Sequence, residues 1–360
     1  MELLGLDAIL AYGNPDTFHG PGDVRYATDY SCTMGEWMYL LSRNGESVLL
    51  LDEVLFWDLP GARERCAEVD QFQVSSNYGK TLAKLIGDKR SSIGLENSHL
   101  LPNRIYSELA RSLPSADIKT TNILHALRKV KSQSEILALE EVEKITQDAM
   151  GAIFDSAASG KTELQVAIPG ISVLKSYNDE FAFPGPEVVS GTRTASQAGQ
   201  ATERKLTIGD LLLVDLGAKK YGYCGDLTRM AIVGKATKDQ IDLFDALIQM
   251  YDRGLKEIRP GTKVSKVYES AQEAIAGKDY EQIHISHGIG LEVHEAPDMS
   301  APEMSSSATP NEVLKENMVI ELEIGLTIAG RSGVRIENMI QVTGNGNKPL
   351  SNFDLELRQL

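Results

Sequence analysis

The spacing of apolar and polar positions changes character along this chain at Ser132. Over about the first 125 residues, short apolar runs alternate with amphipathic segments, which predicts a mixed α/β domain. Asp7–Gly13 reads as a strand. Met38–Arg43 and Ser47–Leu51 read as a hairpin around Asn44-Gly45, a pair that accepts the positive φ angles of a two-residue turn. Ser91–Leu95 predicts a further strand, and Lys80–Ile86 and Asn103–Ser112 predict helices.

From Ser132 to Ala158 the period becomes helical. Ile136, Leu137, Leu139, Val142, Ile145, Met150 and Ile153 recur with Glu and Lys between them, predicting one long amphipathic helix. Leu211–Gly217 and Gly222–Val233 then read as two strands joined by the polar turn Ala218-Lys219-Lys220-Tyr221. Lys238–Ile258 and Val264–Ile275 read as helices, Glu316–Ile328 and Gly333–Val342 as strands, and Pro297–Pro310 as an exposed loop. Gly160-Lys161-Thr162 resembles the end of a phosphate-binding loop, but Asp155 stands where the first glycine is required and no apolar strand precedes it. That motif is rejected.

A chain of 360 residues suggests at least two domains. With 36 basic against 51 acidic residues its net charge is −15, which disfavours phosphate backbones and anionic lipid as partners. No apolar window is long enough for a membrane span, and the N-terminus lacks the pattern of a secretory signal. Cys32, Cys66 and Cys224 fit neither a disulfide framework nor a cysteine zinc site. Together these point to a cytoplasmic protein.

The chemistry rests on misplaced acids. Asp215 follows Leu211-Leu212-Leu213-Val214, where a lone buried carboxylate costs several kcal/mol unless paired or metal-bound. Asp226 lies on the next predicted strand. Glu321 and Glu323 interrupt an apolar run, on one face by strand alternation, with Ile320, Leu322 and Ile324 on the other. Glu337 follows Val334-Arg335-Ile336 on the final predicted strand, and His287 stands in a Gly-rich turn. This oxygen-rich set with one imidazole suits two divalent ions, with Mn²⁺, Zn²⁺, Co²⁺ and Fe²⁺ all compatible. Taken singly, each acid reads first as a solvent-facing strand residue or as a partner of Arg204, Arg229 or Arg335.

The ordered segments VDLGAKKYGYCGDLTR, SHGIGLEVHE, MVIELEIGL and GVRIENMI resemble the pita-bread-fold metallohydrolases: Xaa-Pro dipeptidase (prolidase), aminopeptidase P, methionine aminopeptidase and creatinase. The resemblance runs from Ser132 to Val342, and the smaller leading domain matches the prolidase, aminopeptidase P and creatinase branch. It implies an α+β architecture, with a small creatinase-type α/β domain over residues 1–128 and a pita-bread catalytic domain over 129–360, in a homodimer. By position, it implies that Asp215, Asp226, His287, Glu323 and Glu337 bind two divalent ions, manganese first, with Asp226 and Glu337 bridging. A hydroxide between the ions would cleave a peptide or peptide-like amide. Glu323 would move the proton, His294 would hold the carbonyl or tetrahedral oxyanion, His284 and Arg335 would contact substrate, and Arg335 and Thr228 would orient the carboxylates.

Three positions depart from the family pattern. Ala198 stands where a histidine precedes the first metal strand, Ile283 stands four residues before His287 where a second histidine is expected, and Ile324 replaces the proline after the glutamate ligand. A one-residue deletion would return His284 to that second role. The departures leave two alternatives beside a small-peptide substrate: a repurposed enzyme, hydrolysing a C–N bond or catalysing an elimination, and a catalytically silent binding module.

Overall fold

The computed structural model describes all residues except 16–21, 88–90, 178–181, 183, 197–198, 285, 301–304, 306–307 and 329, and describes 282–284 by backbone alone. The chain divides into two compact units, Met1–Arg128 and Lys129–Leu360.

The first unit is built on strands β1 (Ala8–Gly13), β2 (Trp37–Ser42), β3 (Ser47–Asp52), β4 (Gln71–Ser75), β5 (Ser92–Glu96) and β6 (Asp117–Thr121), in the sheet order β4-β3-β2-β1-β5-β6. Helices α1 (Gly22–Thr28), α2 (Leu59–Arg65), α3 (Tyr78–Ile86), α4 (Asn103–Ser112) and α5 (Ile123–Arg128) intervene. The predicted hairpin forms, with Leu41 opposite Ser47, but its turn is longer than two residues: the Ser42 N–H donates to the Glu46 carbonyl, and of Asn44-Gly45 only Gly45 has a positive φ. Both sheet faces are covered. Leu10, Met38, Leu40 and Leu50 pack with Leu82, Ile105 and Leu109, while Ala11, Trp37, Leu49 and Leu51 pack with Val24, Leu55 and Ala62. This explains why β1 is apolar throughout rather than alternating.

In the second unit, helix α6 (Gln133–Ser156) begins in a capping box. Ser132 Oγ accepts from the Glu135 N–H, and the Glu135 carboxylate accepts from the Ser132 N–H. Its buried stripe contains Ile136, Leu139, Val142, Ile145, Met150 and Ile153, but Leu137, counted in the apolar stripe from sequence, is exposed. Helix α7 (Glu163–Tyr177) follows. Strands β7 (Glu187–Ser190), β8 (Leu211–Leu216), β9 (Lys219–Lys220), β10 (Tyr223–Cys224) and β11 (Leu227–Ile232) lead to helices α8 (Lys238–Glu257) and α9 (Val264–Glu273). Then come β12 (Glu281–His284), β13 (His287–Gly288), β14 (Glu295–Asp298), β15 (Val319–Ile328), β16 (Ser332–Thr343), β17 (Gly346–Pro349) and β18 (Arg358–Gln359). One sheet has the order β18-β11-β8-β7. The other runs β14-β13-β15-β16-β17, with β12 also paired to β15. Among the described residues no helix is long and apolar enough to cross a membrane.

Three sequence expectations change here. Gly222–Val233 is not one strand: it breaks at Gly225-Asp226, so Asp226 precedes β11 instead of lying on it. The break is steric. A Cβ on Gly217 would lie 1.9 Å from the Gly225 carbonyl oxygen, and one on Gly225 would lie 2.4 Å from Thr146 Oγ1. Both glycines are needed for the chain to fold back this tightly. The strand bearing Glu337 is not the last, since β17 and β18 follow. Pro297 is no part of an exposed loop but a buried residue of β14.

Glu163, at the start of α7, is fully buried and fixes the segment between β7 and β8. Its carboxylate accepts from the N–H and Oγ of Ser190, from the N–H and Oγ1 of Thr202, and from Arg193. Replacing Glu163 by alanine strands these donors, and we expect a loss of about 3 kcal/mol or more in unfolding free energy by denaturant titration. A loss below about 1 kcal/mol would show that the carboxylate is not the organiser of this segment.

Candidate metal centre

Strand alternation sorts the residues of β15 and β16. Ile320, Leu322, Ile324, Val334 and Ile336 enter the core beneath α8, and Glu323 and Glu337, directly paired across the two strands, leave from the opposite face. Arg335 lies on that same face opposite Gly325. His287 on β13 pairs with Glu321. On the other sheet, Asp215 of β8 is flanked by Thr228 of β11 and Glu187 of β7.

These elements bring the five expected ligands together. Donor atoms of Asp215, Asp226 and Glu337 lie within 4.8 Å of one another, and so do those of His287, Glu323 and Glu337. A third group of the same kind joins Asp226, His287 and His294. Two cation positions sharing Glu337 describe this geometry, and Asp226 also occurs in two of the groups. His287 Nε2 is 3.6 Å from Glu337 Oε1, 3.9 Å from Glu323 Oε2 and 4.0 Å from Asp226 Oδ2. Its Nδ1 lies 3.0 Å from the Gly288 carbonyl, which can only accept a proton, so Nε2 is left to face the carboxylates.

The fit to divalent ions shows in what these atoms lack. Asp215 Oδ1, Asp226 Oδ1, His287 Nε2 and Glu337 Oε1 are all buried and none has a hydrogen-bond partner. Buried polar atoms are nearly always satisfied. Four convergent exceptions, three of them carboxylate oxygens, are the donor set that a hard or borderline divalent ion prefers.

Neighbouring groups hold the set in place. Arg335 donates to Asp215 and lies 3.3 Å from Glu187 and 3.4 Å from Glu323. It is buried beside these carboxylates. Thr228 Oγ1 donates to Glu337 Oε2 at 3.0 Å. Ser286 Oγ accepts from the Glu323 N–H and donates to the Glu323 carbonyl. His294 is exposed, with its ring centroid 4.1 Å from that of His287. It borders the cluster from the solvent side.

Of the departures, Ile324 packs fully buried in the core on the face away from Glu323, so it does not line the site. Ala198 and the side chains of Ile283 and His284 fall outside what the structure describes. The backbones of Ile283 and His284 pair with Gly325 and Ile324. Sequence reasoning missed Glu187, which meets Arg335, and the buried Glu143, and it read Arg229 only as a possible partner of the acids, not as the buried residue it is. Glu143 had a readable signal, since it lies seven positions from both Ile136 and Met150 on the apolar stripe of α6.

The first-unit expectations from sequence carry no chemistry, and comparison with known proteins covers both units. Residues 138–344 match metallopeptidase family M24. The chain belongs to that family. It is 28% identical to the Xaa-Pro dipeptidase of Pyrococcus horikoshii, over 99% of this chain and 96% of that one. It is 32% identical to the Xaa-Pro dipeptidase of Pyrococcus furiosus, over 66% of this chain and 68% of that one. Among solved structures, the Xaa-Pro dipeptidase from Bacillus anthracis superposes with a TM-score of 0.84 at 27% identity, over 100% of this chain and 96% of that one. This M24 member therefore has the expected pita-bread α+β fold and is a metal-dependent hydrolase, with the family's divalent ions as cofactors.

Without ions, the cluster is a concentration of like charge. Burial pushes the Asp215 carboxyl up to about 7, Arg335 opposing and Glu337 and Glu187 adding to the shift. Burial, and next Glu337, hold Asp226 and Glu323 well above the ordinary range. Divalent ions must displace the protons these groups keep. We expect Mn²⁺ affinity of the stripped protein to fall steeply as pH is lowered through about 7. The metal-free fold should lose stability as pH rises from about 4, where unfolded carboxyls ionise, towards 7, because the folded state then binds more protons than the unfolded one. Calorimetric Mn²⁺ titrations at pH 6 and pH 8, set at about one unit either side of that value, check the first expectation, and flat affinity between them would contradict it.

Proposed function

We propose that this M24 hydrolase is an Xaa-Pro peptidase acting on small peptides, with Asp215, Asp226, His287, Glu323 and Glu337 holding two divalent ions. The observation that carries this reading is the convergence of four buried donor atoms without partners at two overlapping positions. The ions would polarise the scissile carbonyl and lower the pKa of the attacking water. Of the two positions, Asp215 would complete one and His287 with Glu323 the other, with Asp226 and Glu337 shared. Manganese suits the carboxylate majority of this set.

The protein's own groups then divide the work. Glu323, a buried carboxylate inside the cluster, is placed to take the proton of the attacking water and return it to the leaving amine. His294 stands at the exposed rim beside His287, where an imidazole N–H would meet the substrate carbonyl oxygen as negative charge develops on it. Arg335 holds Asp215 and Glu323 in register, and Thr228 holds Glu337. The homodimer and the cytoplasmic location inferred from sequence belong to the same reading. The Xaa-Pro dipeptidase relatives favour a peptide substrate over the repurposed small-molecule alternative, and the intact ligand set speaks against a silent binding module.

His294→Ala should lower kcat on Xaa-Pro dipeptides by about a hundredfold or more, with metal content unchanged. Glu337→Gln should lose bound metal and activity together, and chelation of the wild type should abolish activity until Mn²⁺ is restored. Wild-type kcat in His294→Ala would remove that residue from the chemistry. A Mn²⁺-loaded protein that turns over no Xaa-Pro peptide would overturn the peptidase reading and leave the repurposed enzyme.

A further inference from the structure

From Ser286 to Glu295 every residue is buried except His294. The bend over 290–294 that presents this imidazole joins β13 to β14, where Gly288 and Glu295 are register partners. A buried bend has no ladder of its own, yet its N–H groups still require acceptors. The Gly290 N–H donates to the Glu292 carbonyl, and the Gly290 carbonyl accepts from the Cys224 N–H. The Glu292 N–H, in the middle of the bend, donates to Glu295 Oε1 at 3.1 Å. The Glu295 side chain thus folds back under the bend that its own strand follows.

The fit there is close. A Cβ on Gly290 would lie 2.8 Å from both Glu295 carboxylate oxygens, so glycine is what admits the carboxylate. Its second oxygen, Oε2, lies 3.3 Å from Lys131 Nζ, and the two side chains are only 2% and 1% exposed. Lys131 is held in turn by the chain ahead of β15. Its N–H donates to the Asn317 carbonyl at 2.8 Å, and Val130 bridges Met318. A buried ion pair adds little stability over an apolar pair of the same size, so stability does not account for this one. An apolar pair could not, however, accept the Glu292 N–H.

We propose that Glu295 and Lys131 are positioning residues for His294. The carboxylate, supported from beneath by the ammonium, fixes the bend so that the exposed imidazole stays beside His287, with 4.1 Å between the ring centroids, where the substrate carbonyl arrives. The inference rests on the oxyanion role given to His294 above. Neither positioning residue touches the substrate or moves a proton.

The test compares two neutral replacements of the pair, Lys131→Met with Glu295→Leu, which removes the acceptor, and Lys131→Met with Glu295→Gln, which keeps it. Each is also made together with His294→Ala. In Mn²⁺-dependent turnover of an Xaa-Pro dipeptide, the leucine pair should lower kcat by about tenfold or more, with KM within about twofold of the wild type. The glutamine pair should recover most of that loss. When His294→Ala is already present, the leucine pair should cost less than about twofold, because effects that pass through one residue do not add. A second readout needs no turnover. In NMR spectra of the Zn²⁺-loaded protein with isotope-labelled histidine, the His294 signal is assigned by its absence from His294→Ala. It should shift in the leucine pair as the ring leaves that of His287, and return in the glutamine pair. Should the leucine pair not fold, Gly290→Ala, which puts a methyl where the carboxylate stands, carries the same expectations. An unmoved His294 signal would overturn the proposal, as would equal losses of kcat with and without His294. A His294→Ala protein with wild-type kcat would instead remove the oxyanion role, and the imidazole signal would then decide by itself whether the pair places the ring.

Discussion

Carboxylates withdrawn from water repel one another, and a fold that buries several side by side must hold them with structure that is stable for other reasons. Here that structure is the pair of sheets in the second unit. Glu323 and Glu337 face each other across β15 and β16 because the alternate residues of the same strands are anchored in the core. A one-residue slip in register would carry the apolar set to the ligand face and the acids to the core. The apolar residues therefore specify where the charges stand. The missing hydrogen-bond partners follow from the same constraint, since a site already satisfied by protein donors would have little to gain from a cation.

The two buried arginines meet this constraint differently. Arg335 touches the ligand carboxylates, joining Asp215 on one sheet to Glu323 on the other, so it trims the repulsion within the cluster and fixes its geometry. Among the described residues Arg229 donates to no carboxylate. It binds the backbone carbonyls of Thr228 and Glu337 and those of the chain at Phe353 and Asp354, and so ties β11, β16 and the C-terminal segment behind the site. One works on charge and the other on backbone. Lysine, with a single compact ammonium, could reproduce neither arrangement.

Much of this was legible in the sequence because the informative residues violate a local pattern. Asp215 after four apolar residues, and Glu323 within an apolar strand, stand out against a period that the neighbours set unambiguously. The order of the motifs then supplied their partners. The break at Gly225-Asp226 was not legible, because Gly222–Val233 is apolar enough to pass for one strand and the close contacts are made with Gly217 across the turn and with Thr146, which is distant in sequence. Glu187, and the burial of Arg229, escaped notice for a related reason. Each sits in a strand whose composition admits a solvent-facing charge, and only tertiary packing shows that Arg229 is buried and that Glu187 meets Arg335. Helix α7 carries Pro169 in its interior, a residue that disfavours helix when read locally.

The departures from the family pattern have unequal weight once the faces are known. Isoleucine at position 324 replaces a proline, but its side chain enters the core beneath α8 while Glu323 beside it turns to the ligands. The substitution also restores a backbone N–H that proline lacks, in a strand paired on both sides, with His284 on β12 and Ile336 on β16. Both effects concern packing and pairing, and neither alters the ligand face. Ile324 therefore gives no reason to look for an unusual substrate. Position 324 is thus a difference of packing and pairing alone. A position on the core face can vary without moving Glu323 and Glu337, because these acids are fixed by strands whose register depends on the core.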